Sequence, residues 1–372
     1  AIAQPWELLV DGVDNLLVSD TFNNRIRKVD ATTGITTTVV GIGERGLVGD
    51  GGLATEAALN NPRGLLVDGD GNMLISDSGN SRVRKVDATT GIITTVAGIR
   101  GESGFTEDGA LAAEAAIEFP LAVVFDGSGN LLFSDATERI RKVDASTGII
   151  TTVASTGFQG FSGDGSPATE ARLLFPDGVG GDGAGNLFLA DRRNDRIRRV
   201  EATTDIIETV AGTGQEGFSG DGGLAAEANL WEPKGVAVDA EGNLFIADRS
   251  NGRIRRVDAA TGLITTVAGS GKLGFTGDGG PATEADFFEP WAVAIDPAGN
   301  LFITDHGNKR IRVVRGIAPP GASPGIGPGP PGPDAKEPND NAAEATAVLC
   351  DDSLADVSIR PLGDVDFYAV SL

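Results

Sequence analysis

The chain is 372 residues long and sets 53 acidic against 30 basic side chains, a formal charge of −23. A surface this acidic repels phosphate backbones and anionic lipid headgroups, which excludes general nucleic-acid binding and docking on acidic membranes. One cysteine (Cys350) and one histidine (His306) leave no disulfide framework, no cysteine-based zinc cluster and no multi-histidine metal site. No apolar run approaches the roughly 18 residues that a membrane span requires.

Glycine (54) and proline (18) are abundant without a collagen period, so they punctuate a folded chain. The punctuation is periodic. An Asp closing an apolar run recurs at Asp20, Asp77, Asp135, Asp191, Asp248 and Asp305, in steps of 57, 58, 56, 57 and 57. A proline opens each unit in the same phase (Pro5, Pro62, Pro120, Pro176, Pro233 and Pro290). A third series, Asp50, Asp108, Asp164, Asp221 and Asp278, sits in Gly-Asp-Gly loops, with Glu107 replacing one glycine. Each unit carries four short strand signals, in the second unit at 64–67, 72–76, 82–86 and 92–96, joined by Gly-bearing hairpin links. Six units of four antiparallel strands predict radial blades around an axis: an all-β, six-bladed β-propeller. The long connection between units, as at 212–233, repeats a Phe-Ser/Thr-Gly-Asp-Gly core, followed by an Ala-Thr-Glu-Ala stretch suited to one helical turn. The repeated Phe161, Phe218 and Phe275 are expected to plug between blades.

These residues resemble a known family. Gly242-Asn243-Leu244-Phe245-Ile246-Ala247-Asp248, then Asn251 and Arg253-Ile254-Arg255-Arg256-Val257, look like an NHL repeat. The added Ile264-Thr265-Thr266-Val267-Ala268-Gly269 and the Gly-Asp-Gly loop are similar to the bacterial, teneurin-like variety. The resemblance covers residues 1–315. It implies a six-bladed propeller, extracellular or part of a larger surface protein, and no single function.

Blade six shows three strand signals (291–295, 301–304 and 310–314), and the first residues align with the tail of a connecting loop. The fourth strand is therefore expected from a segment upstream of residue 1, the chain being a processed or excised piece. Residues 316–336 form a Pro/Gly linker. Residues 337–372, with Glu337-Pro338-Asn339-Asp340 and Gly363-Asp364-Val365-Asp366-Phe367-Tyr368, look like the truncated start of a pre-peptidase C-terminal (PPC) β-sandwich. That resemblance implies a calcium site at Glu337, Asn339, Asp340, Asp364 and Asp366; no other cofactor is expected.

Features repeated in every blade are expected to be structural. Each Gly-Asp-Gly aspartate caps its own loop, and each Asp/Arg pair such as Asp248 and Arg253 locks a hairpin. Positions that differ between blades are where an asymmetric ligand finds an asymmetric site. The residue after each opening proline reads Trp6, Arg63, Leu121, Asp177, Lys234 and Trp291. It sits where the innermost strand begins, at the mouth of the channel, with Trp231 on the same face. Trp6, Arg63, Asp177, Trp231, Lys234 and Trp291 are the candidate ligand-binding residues, for a protein, peptide or carbohydrate. His306 is expected as an exposed loop residue on that face. No Ser-His-Asp set or phosphate-binding glycine loop is present. The sequence thus points to a non-catalytic recognition or scaffold module of a secreted or cell-surface multidomain protein, joined to further domains. The alternative is a calcium-dependent hydrolase of the gluconolactonase-like type, for which only Glu7 and Asp177 are placed near the axis, without a partner Asn.

Overall fold

The computed structural model describes residues 2–99 and 102–317 and the backbone of Phe367–Val370. Six antiparallel sheets follow one another along the chain. Blade five shows the plan: Pro233–Val238 innermost, then Leu244–Asp248, Arg253–Val257 and, outermost, Ile264–Ala268. Innermost strands of successive blades touch, and Pro5–Val10 of blade one meets Pro290–Ile295 of blade six, which closes the ring. The six-bladed propeller read from the repeat is the observed fold.

Small inner residues set the approach of the blades. A Cβ on Gly235 would lie 2.6 Å from the Trp291 carbonyl oxygen of the next blade, and one on Gly178 would lie 2.2 Å from that of Lys234. Between blades pack the apolar faces, for example Phe245, Ile254 and Ala268 against Phe287, Val293 and Ile303. The hairpin links are tied to each other. Asn72 in the first link of blade two receives Ala88 N–H of the third at 3.0 Å, and Asn243 receives Ala259 N–H likewise at 3.0 Å.

The long connections are ordered, each with a 3-10 turn such as Ala225–Glu227. They lie on the blade they lead into, and three expectations are corrected there. The Gly-Asp-Gly aspartates do not cap their own loops. Each reaches a buried arginine of the following blade: Asp221 to Arg255 at 2.8 Å, Asp164 to Arg198 at 2.7 Å and Asp278 to Arg312 at 2.6 Å. The strand-end aspartates face Arg253 and its equivalents across the ladder, but the ion pair goes two residues further, Asp248 to Arg255 at 3.3 Å. Residues two apart share a face, so Arg253 and Arg255 both lie on the side of Asp248; they differ in burial, Arg255 being fully buried and Arg253, at the strand's start, only half-buried. Arg253 instead donates to the Asn251 and Ser270 carbonyls. Its guanidinium carbon lies 3.7 Å from the Phe218 ring centroid, so the repeated Phe covers arginines at the surface, 41% exposed, and does not plug the blades apart.

Blade six also corrects the expectation of an upstream strand. Its fourth strand is Phe367–Val370, antiparallel to Arg310–Val314, with Val314 opposite Phe367 and Ile311 opposite Val370. An open edge of unpaired N–H and C=O groups takes up a strand-forming segment of its own chain. The linker beyond residue 317 and the sandwich assigned to 337–372, apart from Phe367–Val370, lie outside the described residues, and with them the calcium residues Glu337, Asn339, Asp340, Asp364 and Asp366. Truncation before Phe367 should accelerate amide exchange in Arg310–Val314 by tenfold or more and leave the third strand of blade four unchanged. Equal exchange in both forms would remove Phe367–Val370 from the sheet.

Candidate functional site: the hub mouth

The path into the hub is built from two repeated devices. In blade five, Asp248 accepts Trp231 N–H at 2.8 Å and the Asn251 amide at 2.9 Å, which pins the segment ahead of Pro233. The residue before each proline is then left-handed in all six blades: Gln4, Asn61, Phe119, Phe175, Glu232 and Glu289 have φ between 46° and 56°. Such a conformation costs about 1–2 kcal/mol in a residue with a side chain. The preceding blade offsets it by receiving the N–H. Glu232 donates to Asp195 at 2.7 Å and Asn61 to Asn24 at 3.0 Å. The chain is thereby turned so that the residue after the proline points at the axis.

Six different side chains meet there. Trp6 and Trp291, from the two blades that close the ring, stack with centroids 4.0 Å apart and planes tilted by 35°. The Arg63 guanidinium carbon lies 3.5 Å from the Trp6 centroid and 4.3 Å from that of Phe119. Lys234 Nζ lies 3.9 Å from the Trp291 centroid and 3.1 Å from Asp177 Oδ2, and Arg192 also pairs with Asp177. Burial pushes the Lys234 ammonium down to about 7, opposed by the Asp177 charge. Burial likewise lowers Arg63 to about 10. This layer closes the channel at one end. Outside it is a cavity of about 410 Å³ whose lining includes Arg63, Phe119, Phe175, Asp177, Lys234 and Trp291.

Of the sequence candidates, Trp6, Arg63, Asp177, Lys234 and Trp291 come together. Trp231 stays apart, 39% exposed and outside this cavity. Trp6 and Trp291 spend ring face on each other and on Arg63, Lys234 and His306, so little is left for a sugar or a flat ligand. His306 is buried, which corrects the exposed loop assignment. Its Nδ1 lies 2.9 Å from the Pro5 carbonyl, an acceptor that fixes the proton on Nδ1, and burial lowers the imidazole to about 3. His306 belongs to a column that sequence reasoning missed, one residue past each repeated Asp: Thr21, Ser78, Ala136, Arg192, Arg249 and His306. Thr21 and Ser78 hydroxyls donate to the Pro62 and Pro120 carbonyls of the next blades, at 2.7 and 2.5 Å. Arg192 and Arg249 reach Glu232, and Arg249 also reaches Glu289. Aligning the units on Asp20 and its equivalents would have exposed this column.

Below the layer the channel is an apolar cavity of about 750 Å³. Two residues past each proline stand Glu7, Gly64, Ala122, Gly178, Gly235 and Ala292. The one large member faces the junction of blades one and two, and there the cavity extends from the channel between the blades to Val39, Met73 and Val86. Among the described residues, the Glu7 carboxylate accepts only the Leu8 N–H, at 3.2 Å, and loss of water on burial pushes its pKa from 4.5 up to about 8. The folded state therefore keeps this proton between pH 4.5 and about 8 while the unfolded chain releases it, and stability falls as pH rises through that window. The melting temperature of Glu7→Gln should gain several degrees on the wild type between pH 5 and 9. A difference that is constant with pH would contradict the protonated state.

Known proteins share this architecture. Residues 3–106 and 213–275 match the teneurin NHL domain family, and residues 287–314 match the NHL repeat. NHL repeat-containing protein 2 of Homo sapiens is 27% identical over 340 residues, which is 83% of this chain but 46% of that protein, so the chain spans less than half of this relative. An auxiliary nutrient binding protein from Bacteroides ovatus superposes with a TM-score of 0.60 at 16% identity, over 86% of this chain and 69% of its own. A streptogramin B lyase does so with a TM-score of 0.51 at 15% identity, over 84% of this chain and 80% of its own. At such identities the two structures share the fold alone. The chain is a six-bladed β-propeller whose residues 3–106 and 213–275 match the teneurin NHL domain and whose residues 287–314 match an NHL repeat.

Proposed function

We propose that the chain is a non-catalytic recognition module that binds a protein partner at the hub mouth. One observation carries this reading: the clamps that recur from blade to blade hold blades together, whereas the six residues after the opening prolines, which vary between blades, all line one cavity of about 410 Å³. Rigid, near-equivalent sheets present that cavity with little reorganisation on binding. Phe175, 40% exposed, lines that cavity as an apolar anchor, and Trp231, 39% exposed on the segment ahead of Pro233, offers a second outside it. A neutral glycan is the poorer fit, because sugars stack on open aromatic faces and those of Trp6 and Trp291 are taken.

The hydrolase alternative requires Glu, Asn and Asp side chains converging on the axis. Glu7 lies below the hub layer, and Asp177 is held within it by Lys234 and Arg192. No group of three metal-ligating side chains occurs among the described residues. Placement in a secreted or surface multidomain protein follows from the resemblance to NHL modules and belongs to the same proposal.

On an immobilised peptide array, Phe175→Ala and Trp231→Ala should each weaken the peptides bound by the wild type by about tenfold, the scale of one anchor residue. Val13→Ser, on an exposed hairpin link, should leave them unchanged. The reverse pattern would move the binding surface off the hub.

A further inference from the structure

Among the described residues, the cations that line the hub cavity, Arg63 excepted, each have a carboxylate within ion-pair distance. Asp177 serves Lys234 and Arg192, Glu232 serves Arg192 and Arg249, and Glu289 serves Arg249. Glu138 accepts the Phe175 N–H and the Gln159 amide. Arg63 has no carboxylate within ion-pair reach among the described residues, and its buried Nε has no hydrogen-bond partner. Its guanidinium is clamped between the Trp6 and Phe119 rings and lines the cavity. Ring stacking holds the plane of a guanidinium and leaves the in-plane N–H groups to bond. A planar fork so held matches a carboxylate, with two parallel N–H···O bonds.

We propose that Arg63 anchors a carboxylate of the partner, an acidic side chain or a chain terminus, in the hub mouth. The proposal rests on the hub reading above and names the chemistry of its ligand. Charge supports it locally. In a protein of charge −23, the cavity wall gathers Arg63, Arg192, Lys234 and Arg249 against Asp135, Glu138 and Asp177, of which Asp177 is paired with Lys234 and Arg192 and Glu138 accepts two N–H groups. Orientation supports it as well. The stacked Arg63 needs little further ordering to bind, so a carboxylate there costs less than one captured by a free surface arginine.

The test is a titration with acetate as the probe, acetamide as its neutral isostere, and ionic strength held constant. The buried Arg63 Nε–H is shielded from exchange and reports directly in protein labelled with ¹⁵N-arginine, assigned by its loss in Arg63→Lys. Acetate should shift that resonance saturably, with half-saturation at about 10–100 mM, while acetamide does nothing. A resonance that stays still, or that moves equally with acetamide, overturns the assignment even if the peptide array finds the hub. A normal acetate response with no hub-dependent peptides would instead overturn the protein-binding reading and keep the carboxylate site. N-acetylglycine and glucuronate separate the sources. A response at least as strong to N-acetylglycine is expected; threefold tighter binding of glucuronate would assign the carboxylate to an acidic sugar and overturn the protein ligand.

Discussion

Arg84, Arg141, Arg198, Arg255 and Arg312 are fully buried, and each is paired with an acid of the loop that runs in from the preceding blade. In four of them a second contact reaches the strand-end aspartate of the same blade, as Arg198 to Asp191 at 3.5 Å. A lone charge in that position would cost several kcal/mol, so the loop, the strand end and the arginine stand or fall together. The consequence reaches inward. The same Asp248 that meets Arg255 also holds the Trp231 N–H, and so fixes the left-handed residue and the proline that aim Lys234 at the axis. Arg27, the equivalent in blade one, donates to Thr38 instead.

Blade count, strand order and the ordered connections were legible because they follow from periodicity and turn chemistry, both local properties. The partners of the charges were not. Asp248 and Arg253 are neighbours by spacing, yet Arg255 shares their face, and only packing decides that the fully buried Arg255 takes the carboxylate. Asp221 and Arg255 are 34 residues apart and meet only once the connection folds onto the next blade. The closing strand of blade six failed for the same reason. Phe367–Val370 pairs across a separation that neither spacing nor the repeat phase encodes.

At the hub, the candidates Trp6, Arg63, Asp177, Lys234 and Trp291 come together at one cavity in the folded ring, and Trp231 lies outside it. Their chemistry was misjudged, because two tryptophans counted from sequence suggest open rings. In the folded ring they lie on adjacent blades, close enough to cover each other, and the nearby cations take the remaining faces. What the hub offers a ligand is therefore hydrogen-bonding and charged edges framed by aromatics. Glu7 adds a second asymmetry below that layer, at a position where the other five blades use Gly or Ala to approach closely.

The repeated clamp is tested most directly by a double-mutant cycle on Asp221 and Arg255, read as unfolding free energies of Asp221→Ala, Arg255→Ala and the pair in denaturant. A pair in which Arg255 is buried and Asp221 40% exposed predicts that loss of either partner is costly and that removing both recovers about 1–3 kcal/mol of coupling. Strictly additive losses, or an Arg255→Ala protein as stable as the wild type, would show that the ring is held by its apolar faces alone.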